Sequence, residues 1–330
     1  MLYLTISIKK VANKAQVSTA TVSHVINDTR FVAPNTRERV LQAMKELDYI
    51  PNHSAKSLRS QKTNIVGVIV PDISNYFFTA VIKGIETVLK KEGFQLIVSN
   101  SDENIYEEIN QLKMFNSQMV RGLIIASSAR KYSDIQPYIK NTPTIFIDRF
   151  LKDNSQDFVS VDNKEGTREA INYLIGKGHK RIGMITGIPN ISSTIERLEG
   201  YKAALWNNNL MVDETLIQSG DSKFQSGFDL TNILIEKNIT ALFVANNLMT
   251  IGALNLLKRK SIKIPEEIAI IGFDDYEWAE ITDPPLSVVK QPSKSIGEKS
   301  AEVLIQKIKS NTKKVINYNF PAEFIIRSSC

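Results

Sequence analysis

Two periodicities divide the chain. Up to residue 49, apolar residues recur at spacings of three and four, whereas from residue 63 they come as short runs alternating with longer amphipathic stretches. In the first part Ile8, Val11, Ala12 and Ala15 fall on one face of a helix that Ser7 can cap. After Ala15-Gln16-Val17, Ser18 is a second cap, and Val22, Val25 and Ile26 mark a second short helix. Pro34 suits the first position of a third, with Val40, Leu41, Met44 and Leu47 as its packing stripe. Two short helices three residues apart, closed by a third, make a helix-turn-helix pattern around one small core.

The second part predicts strands at 65–70, 94–99, 123–127, 144–147, 158–161, 182–186, 241–245, 268–272 and 286–290. Between them the spacing predicts helices at 77–91, 105–117, 164–177, 194–208, 227–237, 248–260 and 296–308. Such alternation builds parallel sheets covered on both faces, and nine strands divide more naturally into two sheets than one. The expected fold is an all-α head on an α/β body of two doubly wound parallel-sheet lobes.

Composition adds little, since 330 residues with 42% hydrophobic and 23% charged side chains describe an ordinary globular chain and exclude collagen, coiled coil and bulk disorder. No apolar run is long enough to cross a membrane, and in MLYLTISIKK the lysines follow the apolar stretch, the reverse of a signal peptide. A cytoplasmic protein without membrane contact is expected. One cysteine, Cys330, allows neither an internal disulfide nor a thiolate metal site, and no metal or cofactor is expected.

Charge changes the picture. Residues 1–62 hold ten basic and four acidic side chains, while the remainder balances at 31 of each, so the whole net charge of +6 sits in the head. That asymmetry is the footprint of a nucleic-acid-binding domain joined to a neutral body. On the second helix Ser18, Thr19, Ala20, Thr21, Ser23, His24 and Asn27 face outward, short groups without an acid among them, able to approach major-groove base edges. Residues 52–60 are too short for a stable lone helix; there Leu58, between Lys56 and Arg59, is suited to wedging into a minor groove once ordered on DNA. The plainer readings are a capped three-helix bundle and an ordinary linker.

In open α/β folds ligands sit beyond the carboxyl ends of the strands. Those positions are Asn75, Tyr76, Phe77 and Phe78, then Asp148 and Arg149, Asn246 and Asn247, Asp274 and Asp275, and Gln291, with Arg197 from a helix start. Aromatic faces with carboxylates, guanidiniums and amides suit a small polyhydroxylated ligand. A surface ion pair for Asp148-Arg149, a turn cap for Asp274 and a hinge for Gln291 are the plainer alternatives. Catalysis finds no support: no glycine-rich phosphate loop follows the first strand, and His24, His53 and His179 are scattered.

The stretch from Thr5 to Phe78, TISIKKVANKAQVSTATVSHVINDTRFVAPNTRERVLQAMKELDYIPNHSAKSLRSQKTNIVGVIVPDISNYFF, resembles the head, hinge and first core strand of the lactose-repressor (LacI/GalR) family. Its reader, STATVSHVINDTRFV, is similar to those of purine and ribose repressors. Further on, KGHKRIGMITG, ERLEGYKAAL, ALFVANNLMTIGALNLL, IAIIGFDD and DPPLSVVKQP are similar to the family's effector domain and to periplasmic ribose-binding proteins. The resemblance implies a head over 1–50, a hinge over 51–62 and an effector-binding and dimerisation domain over 63–330. It divides that domain into one lobe of about 63–160 plus 292–320 and another of about 161–291 plus 321–330.

It further implies a homodimeric repressor on a palindromic operator in double-stranded DNA, with Thr19, Ala20 and His24 near bases, Leu58 inserted at the operator centre and Arg59 supporting it. Asp148, Arg149, Arg197, Asn246, Asp274 and Gln291 would hold a sugar, ribose-like, acting as inducer or corepressor. Three departures stand out: Lys10 replaces a usual acid, Asn247 replaces the usual acid beside Asn246, and Ser222 stands where an aromatic is common, with Phe224 nearby. A purine effector, or a solute-binding protein that ignores DNA, are the competing readings.

Overall fold

The computed structural model describes residues 7–49, 63–151, 156–310, 312 and 314–330. The chain forms two compact units, Met1–Lys62 and Thr63–Cys330. In the first, helices α1 (Ile8–Ala15), α2 (Thr19–Asn27) and α3 (Pro34–Glu46) close over Val11, Ala12, Ala15, Val22, Val25, Val40 and Ala43. The turn between α1 and α2 is made possible by Gln16, at φ 52°, whose left-handed backbone ends α1 and lets the chain re-enter a helix.

Two expectations for the head fail. Ser7 holds the N-cap position of α1, but its side chain makes no capping bond; its carbonyl accepts from the Lys10 and Val11 amides instead. Leu41 is 51% exposed, because the buried face of α3 runs through Val40, Ala43, Met44 and Leu47, and Leu41 lies one helical step off it.

The second unit has two six-stranded sheets. One contains β1 (Ile65–Val70), β2 (Gln95–Asn100), β3 (Gly122–Ile125), β4 (Thr144–Ile147), β5 (Asp157–Val161) and β11 (Asn317–Phe320), in the order β11-β5-β4-β3-β1-β2. The other contains β6 (Ile182–Thr186), β7 (Ile217–Ser219), β8 (Ala241–Val244), β9 (Ala269–Phe273), β10 (Ser287–Lys290) and β12 (Glu323–Ile325), in the equivalent order β12-β10-β9-β8-β6-β7. All pairings are parallel except β10 with β12. Helices α4 (Tyr76–Lys91), α5 (Ile105–Ser117) and α6 (Tyr132–Ile139) belong to the first lobe. The second has α7 (Asn163–Gly176), α8 (Ser192–Asn207), α9 (Phe224–Ile235), α10 (Asn247–Arg259) and the short α11 (Glu277–Glu280). The last helix, α12 (Ser293–Ser310), returns to the first lobe.

The chain therefore crosses between lobes three times, after β5, after β10 and between β11 and β12. The crossing after β10 leads into α12, which packs tightly against α4. A Cβ on Gly84 of α4 would lie 2.1 Å from the Lys294 carbonyl oxygen, and one on Gly297 of α12 would lie 2.0 Å from that of Val81, so only glycine permits this approach. Strands β7, β11 and β12 and helices α6 and α11 are absent from the sequence expectation. The strands have three or four residues, and Pro137 inside α6 disguises a helix that Ile135 and Ile139 anchor in the core.

Candidate functional site

In the head, Ser18 caps α2 by accepting from the Thr21 amide at 3.1 Å, and its hydroxyl lies 2.9 Å from that of Thr21. Ser18, Thr19 and Ala20 are exposed, while Thr21, Ser23 and His24 are half-buried. The His24 Nδ1 is paired with the Thr29 hydroxyl at 2.9 Å, leaving its other ring nitrogen for a partner. The Asn27 side chain and the whole of 51–62, with Leu58 and Arg59, lie outside the described residues. Lys14 pairs with Glu46 and Arg37 with Asp28, whereas Lys9, Lys10, Arg30, Arg39 and Lys45 are exposed.

The body carries a cleft between the strand ends of its two sheets. Asn75, Phe77, Phe78, Asp148, Arg149, Arg197, Asn246, Asp274 and Gln291 all line it, and every one is more than nine-tenths buried. Tyr76 turns away to stack against Tyr276, their ring centres 5.3 Å apart. Phe224 is the half-exposed first residue of α9 and does not line the cleft. Asp102, Glu103, Ser193, Thr194, Ser222 and Lys223 line it too, from loops after β2 and β7 and from the first turn of α8. A strand-end reading extended to β2 and β7 would have found most of them.

The two buried arginines of the lining each lie against carboxylates. Arg149 makes a two-pronged contact with Glu103, both bonds 2.7 Å, and reaches Asp148 at 3.4 Å. Burial works against its charge, but Glu103 and then Asp148 outweigh it and hold the guanidinium firmly protonated. Asp148 and Arg149 are thus a buried network, not a surface pair. Arg197 donates to Asn163 Oδ1 at 2.8 Å and to the Ala245 carbonyl at 2.6 Å, and lies flat on Phe273, 3.7 Å from the ring centre. Burial pulls its pKa below the usual arginine value, opposed by Asp148 and Asp274.

Asp274 accepts from Gln291 Nε2 at 2.6 Å and from Asn247 Nδ2 at 2.7 Å, and it does not cap α11, whose N-cap is Tyr276. Burial pushes the Asp274 carboxyl up, while Arg197, Gln291 and Asn247 pull it back. Gln291 stands at the β10-to-α12 crossing between the lobes and also lines the cleft. Two buried acceptors, Asp148 Oδ1 and Gln291 Oε1, have no protein hydrogen-bond donor. Beneath the cleft Glu108 accepts from Ser127 Oγ and the Ser128 amide, each at 2.6 Å, and burial raises its pKa despite them.

Across the lining stand six carboxylates, Asp72, Asp102, Glu103, Asp148, Asp221 and Asp274, against three cations, Arg149, Arg197 and Lys223. Among the described residues no group of three or more His, Cys, Asp or Glu could hold a metal ion, and no helix is long and apolar enough to cross a membrane.

Comparison with known proteins matches residues 63–328 to the family of periplasmic binding proteins and sugar binding domain of LacI family, and residues 7–52 to bacterial regulatory proteins, lacI family. The HTH-type transcriptional repressor PurR of Vibrio atlanticus (strain LGP32) is 33% identical over 327 residues, covering 98% of each chain. The lac repressor dimer bound to operator and the anti-inducer ONPF superposes with a TM-score of 0.87 at 27% identity, covering 98% of both chains. A LacI family transcriptional regulator from Enterococcus faecium with bound ribose gives 0.73 at 29% identity, covering 80% of this chain and 98% of that one. Head, body and whole-length relatives agree: the chain belongs to the LacI family of DNA-binding transcriptional regulators, with the family's sugar-binding domain as its body.

Proposed function

We propose that the protein is a cytoplasmic repressor that binds a palindromic operator as a homodimer and is controlled by a small neutral polyol, D-ribose or a close pentose, held in the cleft. The observation that carries the ligand is the pair of donor-starved acceptors, Asp148 Oδ1 and Gln291 Oε1, buried beside two arginines and the Phe77 and Phe78 rings. Such acceptors call for O–H donors, the guanidiniums donate to hydroxyl oxygens in turn, and aromatic faces cover C–H groups. The surplus of carboxylates over cations disfavours sugar phosphates, sugar acids and nucleotides. The relative with bound ribose supports the same reading.

The purine reading has one observation in its favour, the whole-length similarity to repressors named PurR. A planar purine, however, holds its few N–H donors in the ring plane, whereas a polyol also turns hydroxyls out of that plane, towards acceptors on both lobes such as Asp148 and Gln291. The protein acts by binding, not catalysis. Ser18, Thr19, Ala20, Thr21, Ser23, His24 and Asn27 read the major groove, and Leu58 and Arg59 of the 51–62 hinge engage the minor groove. Two heads are needed because one small reader binds weakly and the second contact becomes intramolecular. Cleft closure changes how the lobes present the two hinges in the dimer, and so whether those segments can fold on DNA.

Calorimetry with D-ribose, other pentoses, hexoses, hypoxanthine and guanine tests the ligand. Ribose binding without purine binding supports the proposal; purine binding alone overturns it. A salt-independent DNA affinity would overturn the basic-head reading.

A further inference from the structure

Asn247 opens α10 at the back of the cleft and is completely buried. Its amide nitrogen donates twice, to Asp274 Oδ2 at 2.7 Å within its own lobe and to Asn75 Oδ1 at 2.8 Å in the other. Asn75 is the N-cap of α4, and the same oxygen also accepts from the Phe77 amide at 2.9 Å. One side chain therefore ties the start of the first lobe's aromatic wall to the second lobe's central carboxylate. We infer that Asn247 is a built-in latch that holds the cleft partly closed before effector arrives, and thereby sets effector affinity. This rests on the cleft being the effector site.

The chemistry of the position explains why an amide matters. An aspartate there would set an acceptor against Asn75 Oδ1, so the contact across the lobes would become repulsive, and it would place a second carboxylate against Asp274 within its own lobe. The amide supplies both donors at once, and does so at the cost of leaving its own Oδ1 buried without a partner. Of the other cross-lobe contacts, the buried Arg197 and Asp148 stand 4.0 Å apart, Tyr76 packs on Tyr276, the Phe150 amide donates to Ser192 Oγ at 3.0 Å and the exposed Lys223 lies 3.6 Å from Asp102; none of these is a buried hydrogen bond as short as that of Asn247. A latch of this kind shifts a two-state equilibrium in favour of the closed form, and a ligand that binds only that form gains apparent affinity in proportion.

The test uses the full-length protein without ligand and then with D-ribose. Asn247→Ala removes the latch from one lobe. Asn75→Ser removes its acceptor from the other while leaving a hydroxyl to cap α4. Hydrogen exchange at the Phe150 amide, remote from both substitutions but bonded across the lobes, should quicken in each variant, and D-ribose affinity should fall about two- to tenfold, the range for one hydrogen bond. The double variant should be no worse than the more affected single one, because both break the same contact. Asn247→Asp should lose affinity as well and regain part of it on acidification, as a proton shared with Asp274 relieves the repulsion between the two carboxylates. The charged groups facing that pair are Arg197 and Asp148.

Unchanged exchange at Phe150 in both single variants, or additive losses in the double, overturns the latch. If instead the wild type ignores D-ribose while exchange at Phe150 quickens in the variants, the latch stands and the ligand assignment fails.

Discussion

Replacing Arg197 by methionine keeps the aliphatic bulk of the side chain and removes the cation on which the second lobe's half of the cleft depends. Its Nη2 is 4.0 Å from Asp148 Oδ1, and two unit charges at that separation attract by roughly 4 kcal/mol at an effective dielectric of about 20. Arg149 shares that carboxylate, so the figure is an upper bound. Removing one member of a buried charge set costs about 3–5 kcal/mol in all, part of it in folding. The share felt by a bound polyol is the lost charge-assisted hydrogen bonding, about 1.5–3 kcal/mol, which corresponds to about a 10- to 150-fold weaker Kd for D-ribose.

The variant also carries a pH signature. Arg197 is the strongest influence holding the Asp274 carboxyl down against burial, so without it that pKa climbs further. An acid whose pKa is higher folded than unfolded binds more protons in the folded state. Stability then falls as pH rises through the window between the two values and returns on acidification. Ribose affinity needs the ionised acceptor and moves the other way, falling on acidification. Calorimetric titration and chemical denaturation, each followed as pH is raised from acidic to alkaline, should give slopes of opposite sign. Slopes of the same sign, or a Kd within about threefold of wild type against the range above, would refute the role given to Arg197.

In the close crossing of α4 and α12, Gly297→Ala should cost about 1–3 kcal/mol through overpacking and lower the melting temperature by about 2–4 °C per kcal/mol, read by thermal denaturation. Ser18→Ala removes the α2 cap, worth about 1 kcal/mol, and should weaken operator binding in a gel-shift titration while leaving its salt dependence in place. Glu108→Gln removes a buried carboxyl whose pKa is raised by burial. The wild type should lose stability relative to this variant as pH rises through that elevated value, and comparison of denaturation midpoints at acidic and alkaline pH checks the sign.

The cleft was legible because strand ends are. β1, β4, β8, β9 and β10 each follow from a run of apolar residues, and each is followed by a polar side chain with nowhere to go but the crevice. Glu103 escaped because it lies three residues past β2, in a loop where Asp102 and Glu103 both take left-handed backbone, at φ 51° and 57°. Nothing in the local sequence announces that loop, and its fold depends on Arg149 donating to the Glu103 carboxylate. β7, β11 and β12 escaped because their pairing is non-local: Asn317 aligns with Phe158, and Ile325 with Val288. The Asn247 bridge was invisible in principle, since a departure from the usual acid gives no sign that Asn75, 172 residues away, supplies the acceptor.

The two lobes share little sequence, yet they solve the same problem in the same way. Asp148 follows β4 and Asp274 follows β9, the equivalent strand of the other sheet, and both lie in the left-handed region, at φ 61° and 74°. In each, the last ladder bond is made by the aspartate's own amide, to Val159 of β5 at 3.1 Å and to Val289 of β10 at 2.8 Å. The sheet thus fixes the backbone up to the aspartate nitrogen, and the turn at the next bond swings the carboxylate over the strand ends. A non-glycine residue in that conformation costs about 1–3 kcal/mol unless its surroundings over-determine it, and aspartate, unbranched at Cβ, tolerates it better than most. Closing the lobes brings two such carboxylates towards each other, which burial makes unfavourable on its own. Arg197, attracted to both, offsets part of that repulsion, and hydroxyl donors from a neutral ligand can offset the rest. An anion would add to the repulsion, and an apolar ligand would leave both carboxylates unsolvated. Closure and ligand chemistry are therefore one constraint: the cleft shuts best on a molecule that carries hydroxyl donors to both of its walls.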